Sequence, residues 1–345
     1  MPSDSETNTA AELRFLRRVL IVAAVVLLLL FLWAARDILL VGFGAVLFAV
    51  LLDAAAGQLC GRFGLSRRLA LLAAGAAMAL VLGLSFWLVG SEVAAQVSQL
   101  GERLPRAIEA IERRLGVNLP SDATQMPDGL LGHVAGFGRG LVDAVAALLL
   151  AVVGGSFLVS DPQRYRRGFV KLFPRDESAR VEDMLDTLAT ALRRWLMAAL
   201  VAMVIVGVAA GLACWMIGLP APLALGLFAG LAQFVPVVGA VLGAVPPLVL
   251  ALAGGGSVLL WTALAFLLIQ QVESNMITPI VEERLVNIPA FVLLLGIMAA
   301  GTIFGLGGIV LAAPLTVVAY VAVQKLYVRQ TLGRRVEVAG EEPAT

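Results

Sequence analysis

The sequence predicts an all-α polytopic membrane protein with about eight transmembrane helices, a re-entrant Pro/Gly hairpin and amphipathic helices outside the membrane. Hydrophobic residues make up 60% of the 345-residue chain and charged residues only 14%. Soluble domains average about 45–50% apolar and about 25% charged residues. The apolar residues are also gathered into runs of about 20, the length that crosses about 30 Å of hydrocarbon as a helix.

Six apolar runs are predicted to cross the membrane as single helices. They lie at 16–35, 38–56, 69–90, 141–160, 196–217 and 257–277. A longer run, 290–324, is predicted to form two spans with a turn near Gly305 to Gly308. The uninterrupted apolar part of the first run, Val19 to Ala35, follows three arginines, as a signal peptide would, but the next run begins directly after Asp37. We therefore interpret the first run as a retained membrane helix.

The remaining apolar run, 221–253, contains the stretch QFVPVVGAVLGAVPP, from Gln233 to Pro247. Proline removes a backbone donor and costs about 3 kcal/mol inside a helix. Irregular backbone at membrane depth is tolerated only where it is buried in protein or lines a wet cavity. Pro236 and the Pro246-Pro247 pair are therefore predicted to mark broken helix. Gly239 and Gly243 would allow a turn and a close helix approach.

The distribution of lysine and arginine favours an orientation with both termini in the cytoplasm. If 221–253 enters and leaves on one side, the cytoplasmic segments hold 19 of the 25 basic residues and the outer segments hold 6. An ordinary single span there would move the later basic segments to the wrong side. The predicted organisation is a cytoplasmic N-terminus (1–18), membrane helices 1–3 (19–90), an outer segment (91–140), membrane helix 4 (141–160), a cytoplasmic helical segment (161–195), a membrane core (196–324) and a cytoplasmic tail (325–345).

Two polar segments separate the spans. Apolar residues recur every three or four positions in 91–140, which predicts an amphipathic helix on the membrane surface, or alternatively a subunit contact. In 161–195, Asp161-Pro162 is predicted to start a helix and Phe173-Pro174 to form a turn. A second helix then leads into the next span with one apolar face, formed by Val181, Met184, Leu185, Leu188, Leu192 and Trp195. Its charged residues, Asp183 among them, are interpreted as a solvated face.

A cluster of polar residues ends the span 257–277. It comprises Gln270, Gln271, Glu273, Ser274 and Asn275. A carboxylate within a span is costly, and it commonly marks proton or cation coupling. Carboxylate and amide oxygens suit such an ion. The alternative places Glu273 at the cytoplasmic interface, hydrated or paired with Arg284, and the same interfacial position is favoured for Asp53.

Several classes of function are not indicated by the sequence. The net charge of +1 suggests no nucleic-acid partner, and no GxxxxGK phosphate loop is present. The single histidine, His133, offers no multi-histidine metal site and no base for a serine nucleophile. We therefore predict no enzyme activity, no metal and no cofactor.

Three motifs together resemble the autoinducer-2 exporter family of bacterial inner-membrane proteins, also called PerM-like permeases. They are FVPVVGAVLGAVPP, QQVESNMITPIV and NIPAFVLLLGIMAAGTIFGLGGIVLAAPL, in this order. The resemblance implies a transporter of eight spans that forms a homo-oligomer, for which a pentamer is one candidate. It also implies export of a small organic solute or exchange of Na⁺ for H⁺ in the bacterial inner membrane.

The expected function is therefore a secondary transporter driven by an ion gradient. A passive channel at a subunit axis and a non-transporting membrane scaffold remain alternatives. The residues predicted to bind the substrate or ion come from the three motifs. They are Gln233, Phe234, Pro236, Gly239, Gly243, Pro246, Gln270, Gln271, Glu273, Ser274, Asn275, Pro279, Gly305 and Gly308.

Overall fold

The computed structural model describes residues 4–81, 83–84, 146–236, 238–277 and 288–333. These residues are helices and short connections, with no β-strand among them, which confirms the all-α class. The outer segment 91–140, the residues around Pro279 and Arg284 and most of the predicted tail lie outside the described residues.

Ten α-helices are formed within the described ranges. They are α1 (Asp4–Ala34), α2 (Arg36–Phe63), α3 (67–81), α4 (Ala146–Ser160), α5 (Pro162–Val170), α6 (Ser178–Ile217), α7 (Pro222–Ala232), α8 (Val238–Ala253), α9 (Gly256–Val272) and α10 (Ala290–Ala322). Wider π-helical turns extend α9 over Glu273–Ile277 and α10 over Val323–Thr331. Within the described part, five helices are long and apolar enough to cross a membrane, or six if α4 and α5 form one bent span. The chain is thus a multi-pass membrane protein.

The segment before α6 folds as its sequence predicts. Asp161 caps α5, because its carboxylate accepts a hydrogen bond from the backbone N–H of Arg164 at 3.2 Å, and Pro162 occupies the first turn. A turn at Pro174 then leads into α6, which continues without a break from the polar segment into the apolar span. The predicted apolar face of this helix is buried or half-buried throughout.

Four glycines form the contact between α6 and α7. A Cβ atom on Gly226 would lie 2.6 Å from the carbonyl oxygen of Gly207 and from the Cα of Gly211. A Cβ on Gly230 would lie 2.6 Å from the carbonyl oxygen of Met203. Small residues permit helix backbones to approach this closely in a membrane, where packing rather than the hydrophobic effect holds helices together. We call these four residues, Gly207, Gly211, Gly226 and Gly230, the glycine seam.

The run 221–253 folds into a helical hairpin. α7 has 11 residues and is about 16 Å long, too short to cross the hydrocarbon core. After a turn, α8 packs back along it: a Cβ on Gly243 would lie 3.1 Å from the Cα of Ala229, and one on Gly239 would overlap the carbonyl of Ala232. The glycines therefore allow the turn and the close approach that the sequence predicts.

The three prolines of this hairpin have different positions. Pro236 lies in the turn between α7 and α8, but Pro246 and Pro247 lie inside α8, which remains helical around them. The prediction that this pair marks broken helix is wrong. Tertiary packing of α8 between α7 and α9 outweighs the local cost of the two missing donors, because helix propensity is a weak preference that tertiary contacts override.

A second hairpin lies within α10. Gly305 has φ 65° and ψ −145°, a conformation that favours glycine and interrupts the helix. A Cβ on Gly296 would overlap the hydroxyl of Thr316, although a straight helix would separate these residues by about 30 Å. The chain therefore folds back at Gly305, where the sequence predicts a turn. Pro314 lies inside the second arm, which remains helical around it.

Alanine at Gly226 is expected to lower the free energy of unfolding by about 1–3 kcal/mol, because the added methyl group meets two backbones that cannot move aside. Gly42→Ala is the matched control, since its Cβ meets no atom within 4 Å and alanine is the better helix former. Thermal unfolding in detergent measures both. The expected result is a lower midpoint for Gly226→Ala alone; equal midpoints for both variants would contradict the tight seam.

Candidate functional site

The tip of the first hairpin packs against protein, with Val235 buried and Phe234 and Pro236 half-buried. The ring of Phe234 packs edge-on against Trp195 of α6, with 5.6 Å between ring centroids and 76° between ring planes. Phe234 also packs against a buried apolar cluster from α2, α6 and α10, formed by Leu47, Ala191, Leu192, Leu196, Val317 and Val321. This placement meets the requirement that irregular backbone at membrane depth be shielded from lipid.

The backbone of the tip satisfies much of its own hydrogen bonding. The N–H groups of Phe234 and Val235 donate to the carbonyls of Leu231 and Ala232 at 3.1 and 3.0 Å. The N–H of Gly239 donates to Val235 at 2.7 Å across Pro236. The tip is thus a compact turn, so polar side chains nearby become the candidates for holding an ion.

The depth of the tip follows from the residues it meets along α6. α7 runs antiparallel to α6: its start lies beside Gly211, its end beside Met203, and the tip residue Phe234 beside Trp195. Trp195 precedes the predicted span 196–217. The tip therefore lies towards the end of that span that the sequence predicts to be cytoplasmic.

The predicted polar cluster forms a hydrogen-bonded group at the end of α9. The amide nitrogen of Gln270 lies 2.8 Å from the Glu273 carboxylate and 3.2 Å from the Ser274 hydroxyl. The Ser274 hydroxyl lies 3.5 Å from the same carboxylate oxygen. Glu273 and Gln270 are half-buried, whereas Ser274 and Asn275 are exposed. Residues 270, 273 and 274 of the predicted cluster therefore share one face of the helix.

The backbone changes its winding at this cluster. α9 ends at Val272, and Glu273–Ile277 continue as a π-helical turn that packs against α6. Insertions of this kind are rare and frequently coincide with functional sites. The side-chain amide of Asn275 donates to the carbonyl of Gln271 at 2.8 Å, so it serves the widened turn rather than Glu273.

The hairpin tip and the polar cluster lie at a similar depth. α8 and α9 are packed neighbours joined by Gly254 and Gly255. Val238 lies 15 residues before the end of α8 and Glu273 lies 17 residues after the start of α9, so each is about 22–26 Å from this connection. Both elements also contact α6 or its side chains.

Gly305 and Gly308 belong to a different part of the molecule. A Cβ on Gly307, between them, would lie 2.8 Å from a methyl group of Leu40, near the start of α2. Sixteen residues, or about 24 Å of helix, separate Gly305 from Val321 in the cluster around Phe234. The structure thus does not bring these two glycines together with the hairpin tip.

An ion pair between a buried lysine and an exposed aspartate joins the π-helical extension of α10 to α6. The Lys325 side chain is only 2% exposed, and its ammonium lies 2.8 Å from the Asp183 carboxylate. It also donates to the hydroxyl of Thr187 and, at 3.2 Å, to the backbone carbonyl of Asp183. We call this group, Asp183, Thr187 and Lys325, the inner ion pair.

Sequence reasoning missed the inner ion pair. It assigned Lys325 to the cytoplasmic tail and Asp183 to a solvated face, and it did not link the two residues or expect the lysine to be buried. The Asp183 carboxylate is 64% exposed but faces the buried ammonium. The signal was the spacing of Val317, Val321 and Lys325, which places the lysine on the buried face of its helix.

Two further ion pairs support this end of the bundle. Arg67 lies 2.8 Å from Asp53, which favours the interfacial position predicted for Asp53. Arg166 of α5 binds the Asp186 carboxylate of α6 through both terminal nitrogens, at 2.6 and 2.7 Å. The hydrogen bond that Arg166 donates to this carboxylate raises the pKa of Arg166 above its ordinary value.

These features define a class of protein: a multi-pass α-helical membrane protein with two helical hairpins and a partly buried carboxylate at a depth similar to that of one hairpin tip. A family model described as AI-2E family transporter matches residues 21–328. The chain belongs to this family, and its role is that of a membrane transporter or permease.

Named relatives agree with this assignment. The protein "Putative transport protein YrrI" of Bacillus subtilis is 27% identical over 245 residues, which cover 65% of this chain and 68% of the relative. A Thermotoga maritima protein with the same description is 27% identical over 213 residues, covering 61% of this chain and 63% of the relative. A Mycobacterium tuberculosis relative, MT0215, is 37% identical over 109 residues, covering 31% and 29%.

Replacing Asp183 with alanine is expected to destabilise the protein more than replacing Lys325 with methionine. The first change leaves a buried ammonium without its carboxylate, whereas the second removes the charge and keeps most of the apolar stem. A loss of about 1–3 kcal/mol is expected for Asp183→Ala, because water partly screens its exposed carboxylate. Thermal unfolding of both variants, with Asp176→Ala as the exposed control, gives the comparison; a larger loss for Lys325→Met would contradict it.

Proposed function

We propose that this chain is a secondary transporter driven by an ion gradient and that Glu273 takes up and releases the coupling ion. The substrate is a small organic solute, or Na⁺ exchanged for H⁺. The observation that carries the proposal is the half-buried Glu273 carboxylate at the π-helical turn, level with the hairpin tip and hydrogen-bonded by Gln270.

The neighbours of Glu273 suit a group that changes its protonation state. The Gln270 amide can present N–H to an ionised carboxylate, and after rotation its carbonyl can accept from a protonated one. The Ser274 hydroxyl can likewise donate or accept. Both the ionised and the protonated form of Glu273 would thus keep hydrogen-bond partners. This lowers the free-energy cost of changing from one form to the other at a half-buried position.

The same oxygen atoms suit a small hard cation. Carboxylate, amide and hydroxyl oxygens are ligands of this kind, and one acidic side chain offers one charge to balance Na⁺ or H⁺. Binding of one ion would then exclude the other. Competition between Na⁺ and H⁺ for the Glu273 carboxylate would account for exchange of the two ions. Binding and release of one of these ions at the same carboxylate would also couple its gradient to the movement of an organic solute.

The hairpin would supply the moving part. Transporters use interrupted helices because their ends can rearrange around a site near the middle of the protein. Phe234 fills the space beside Trp195, so the tip would close the route on one side of the Glu273 cluster. Movement of the tip away from Trp195 would open this side.

The test is proton movement in liposomes that contain a trapped pH dye. A pH gradient is imposed, and Na⁺, Li⁺ or K⁺ is added in turn. We expect movement of protons with Na⁺ or Li⁺ in the natural protein and at least about a tenfold loss in Glu273→Gln, because the neutral amide cannot bind a proton in this way. Glu177→Gln, the same change on an exposed glutamate paired with Arg180, should keep the natural rate.

Equal rates in natural protein and Glu273→Gln, at equal incorporation, would contradict the role of Glu273. Absence of cation-dependent movement in the natural protein would reject Na⁺/H⁺ exchange and leave export of an organic solute. That form of the proposal is tested by uptake of a metabolite mixture into the same vesicles under a proton gradient, again with Glu273→Gln and Glu177→Gln.

A further inference from the structure

Helix α5 turns sharply away from the helix before it. The axes of α4 and α5 differ by 89°, with only Asp161 between the two helices. α4 is apolar and corresponds to the predicted span 141–160, whereas α5 has three arginines among its nine residues. If α4 crosses the membrane, α5 lies parallel to the membrane surface at the end of that span.

The two long faces of α5 differ in chemistry. Tyr165 and Phe169, four residues apart, share one face and are 47% and 46% exposed. Phe173 continues this aromatic surface, with 5.4 Å between its ring centroid and that of Phe169. Arg164 and Arg167 lie on the other side of the helix, and both are exposed.

Two contacts hold α5 in this position. Val170 is buried, and Arg166 is engaged by Asp186 and by the backbone carbonyl of Glu182 at 3.3 Å. The three remaining basic residues of this segment do not form such an ion pair. Within the described part of the chain, Arg164, Arg167 and Lys171 are not paired with a carboxylate. α5 is thus fixed to α6 while its aromatic and basic side chains are presented outward.

We propose that α5 and Lys171–Phe173 form a binding surface for anionic phospholipid headgroups in the leaflet that the sequence predicts to be cytoplasmic. Aromatic rings are favoured at the boundary between headgroups and acyl chains. Basic residues beside an amphipathic helix attract anionic lipid, and each contributes about a fivefold gain in affinity. Tyr165, Phe169 and Phe173 enter this boundary, and Arg164, Arg167 and Lys171 reach the phosphates along their flexible stems.

Lipid binding to the purified full chain in detergent tests the charge part of the proposal. Dioleoyl phosphatidylglycerol and phosphatidylcholine are titrated separately and bound lipid is counted by native mass spectrometry. We expect Arg164→Gln/Arg167→Gln to weaken phosphatidylglycerol binding about thirtyfold at low salt, with little change for phosphatidylcholine. Arg175→Gln/Arg180→Gln removes the same charge beyond the turn and should leave binding within about threefold.

Three results would overturn the assignment. The first is an affinity for phosphatidylglycerol in the Arg164→Gln/Arg167→Gln variant equal to that of the natural protein. The second is an equal loss of this affinity in both double variants. The third is binding of soluble glycerol phosphate as tight as that of the lipid. The last result would indicate a site for a free phosphate compound instead.

Nitroxide labels test the depth of the aromatic face. Phe169→Cys and, about 120° around the helix, the exposed Gln163→Cys are labelled in a Cys60→Ser/Cys214→Ala background in phosphatidylglycerol-containing liposomes. The label at 169 should collide more with oxygen, which concentrates in lipid, and the label at 163 more with a water-soluble nickel chelate. Equal exposure of both labels to the chelate would place α5 away from the membrane and reject the proposal.

Discussion

The hydrogen-bonding requirement of the backbone in lipid is the constraint on which this structure depends. A chain that stops being helical at membrane depth must cover its amides and carbonyls with protein, because each uncovered group costs several kcal/mol. The glycine seam meets this requirement. It lets α7 run against the backbone of α6, so that the turn after α7 reaches the apolar cluster around Phe234 instead of facing acyl chains.

α6 connects the parts of the molecule through this arrangement. Its 40 residues contact α2, α7, α9 and α10, and they carry Trp195 beside the hairpin tip and Asp183 beside Lys325. The inner ion pair and the hairpin tip meet the same face of α6, since Leu192 and Leu196 of that face pack with Val321, one turn before Lys325.

Local patterns were sufficient for much of this fold. The long apolar runs, the Asp161 cap, the turn at Gly305 and the shared face of Gln270 and Glu273 all depend on residues close in sequence. Pro246 and Pro247 could not be placed in this way, because contacts from α7 and α9 decide whether the helix survives them. The contacts of the glycine seam could not be predicted from local sequence either. Glycines at this spacing are common in membrane helices, and only the structure shows that Gly207 lies against Gly226. Lys325 and Thr187 are 138 residues apart, so neither segment alone indicates the other.

The central claim is that 221–253 enters and leaves the membrane on one side. Cysteine labelling in cells with a membrane-impermeant thiol reagent tests it directly. Single cysteines are placed at Leu223 and Ser257, which are both exposed and lie at the two ends of the hairpin. The background is Cys60→Ser/Cys214→Ala, so that each variant carries one thiol. A cysteine at Ser178 marks the opposite side. The account predicts labelling of positions 223 and 257 from outside the cell and labelling of position 178 only after lysis. Labelling of 223 and 257 from opposite sides would make the segment a crossing helix and contradict the account.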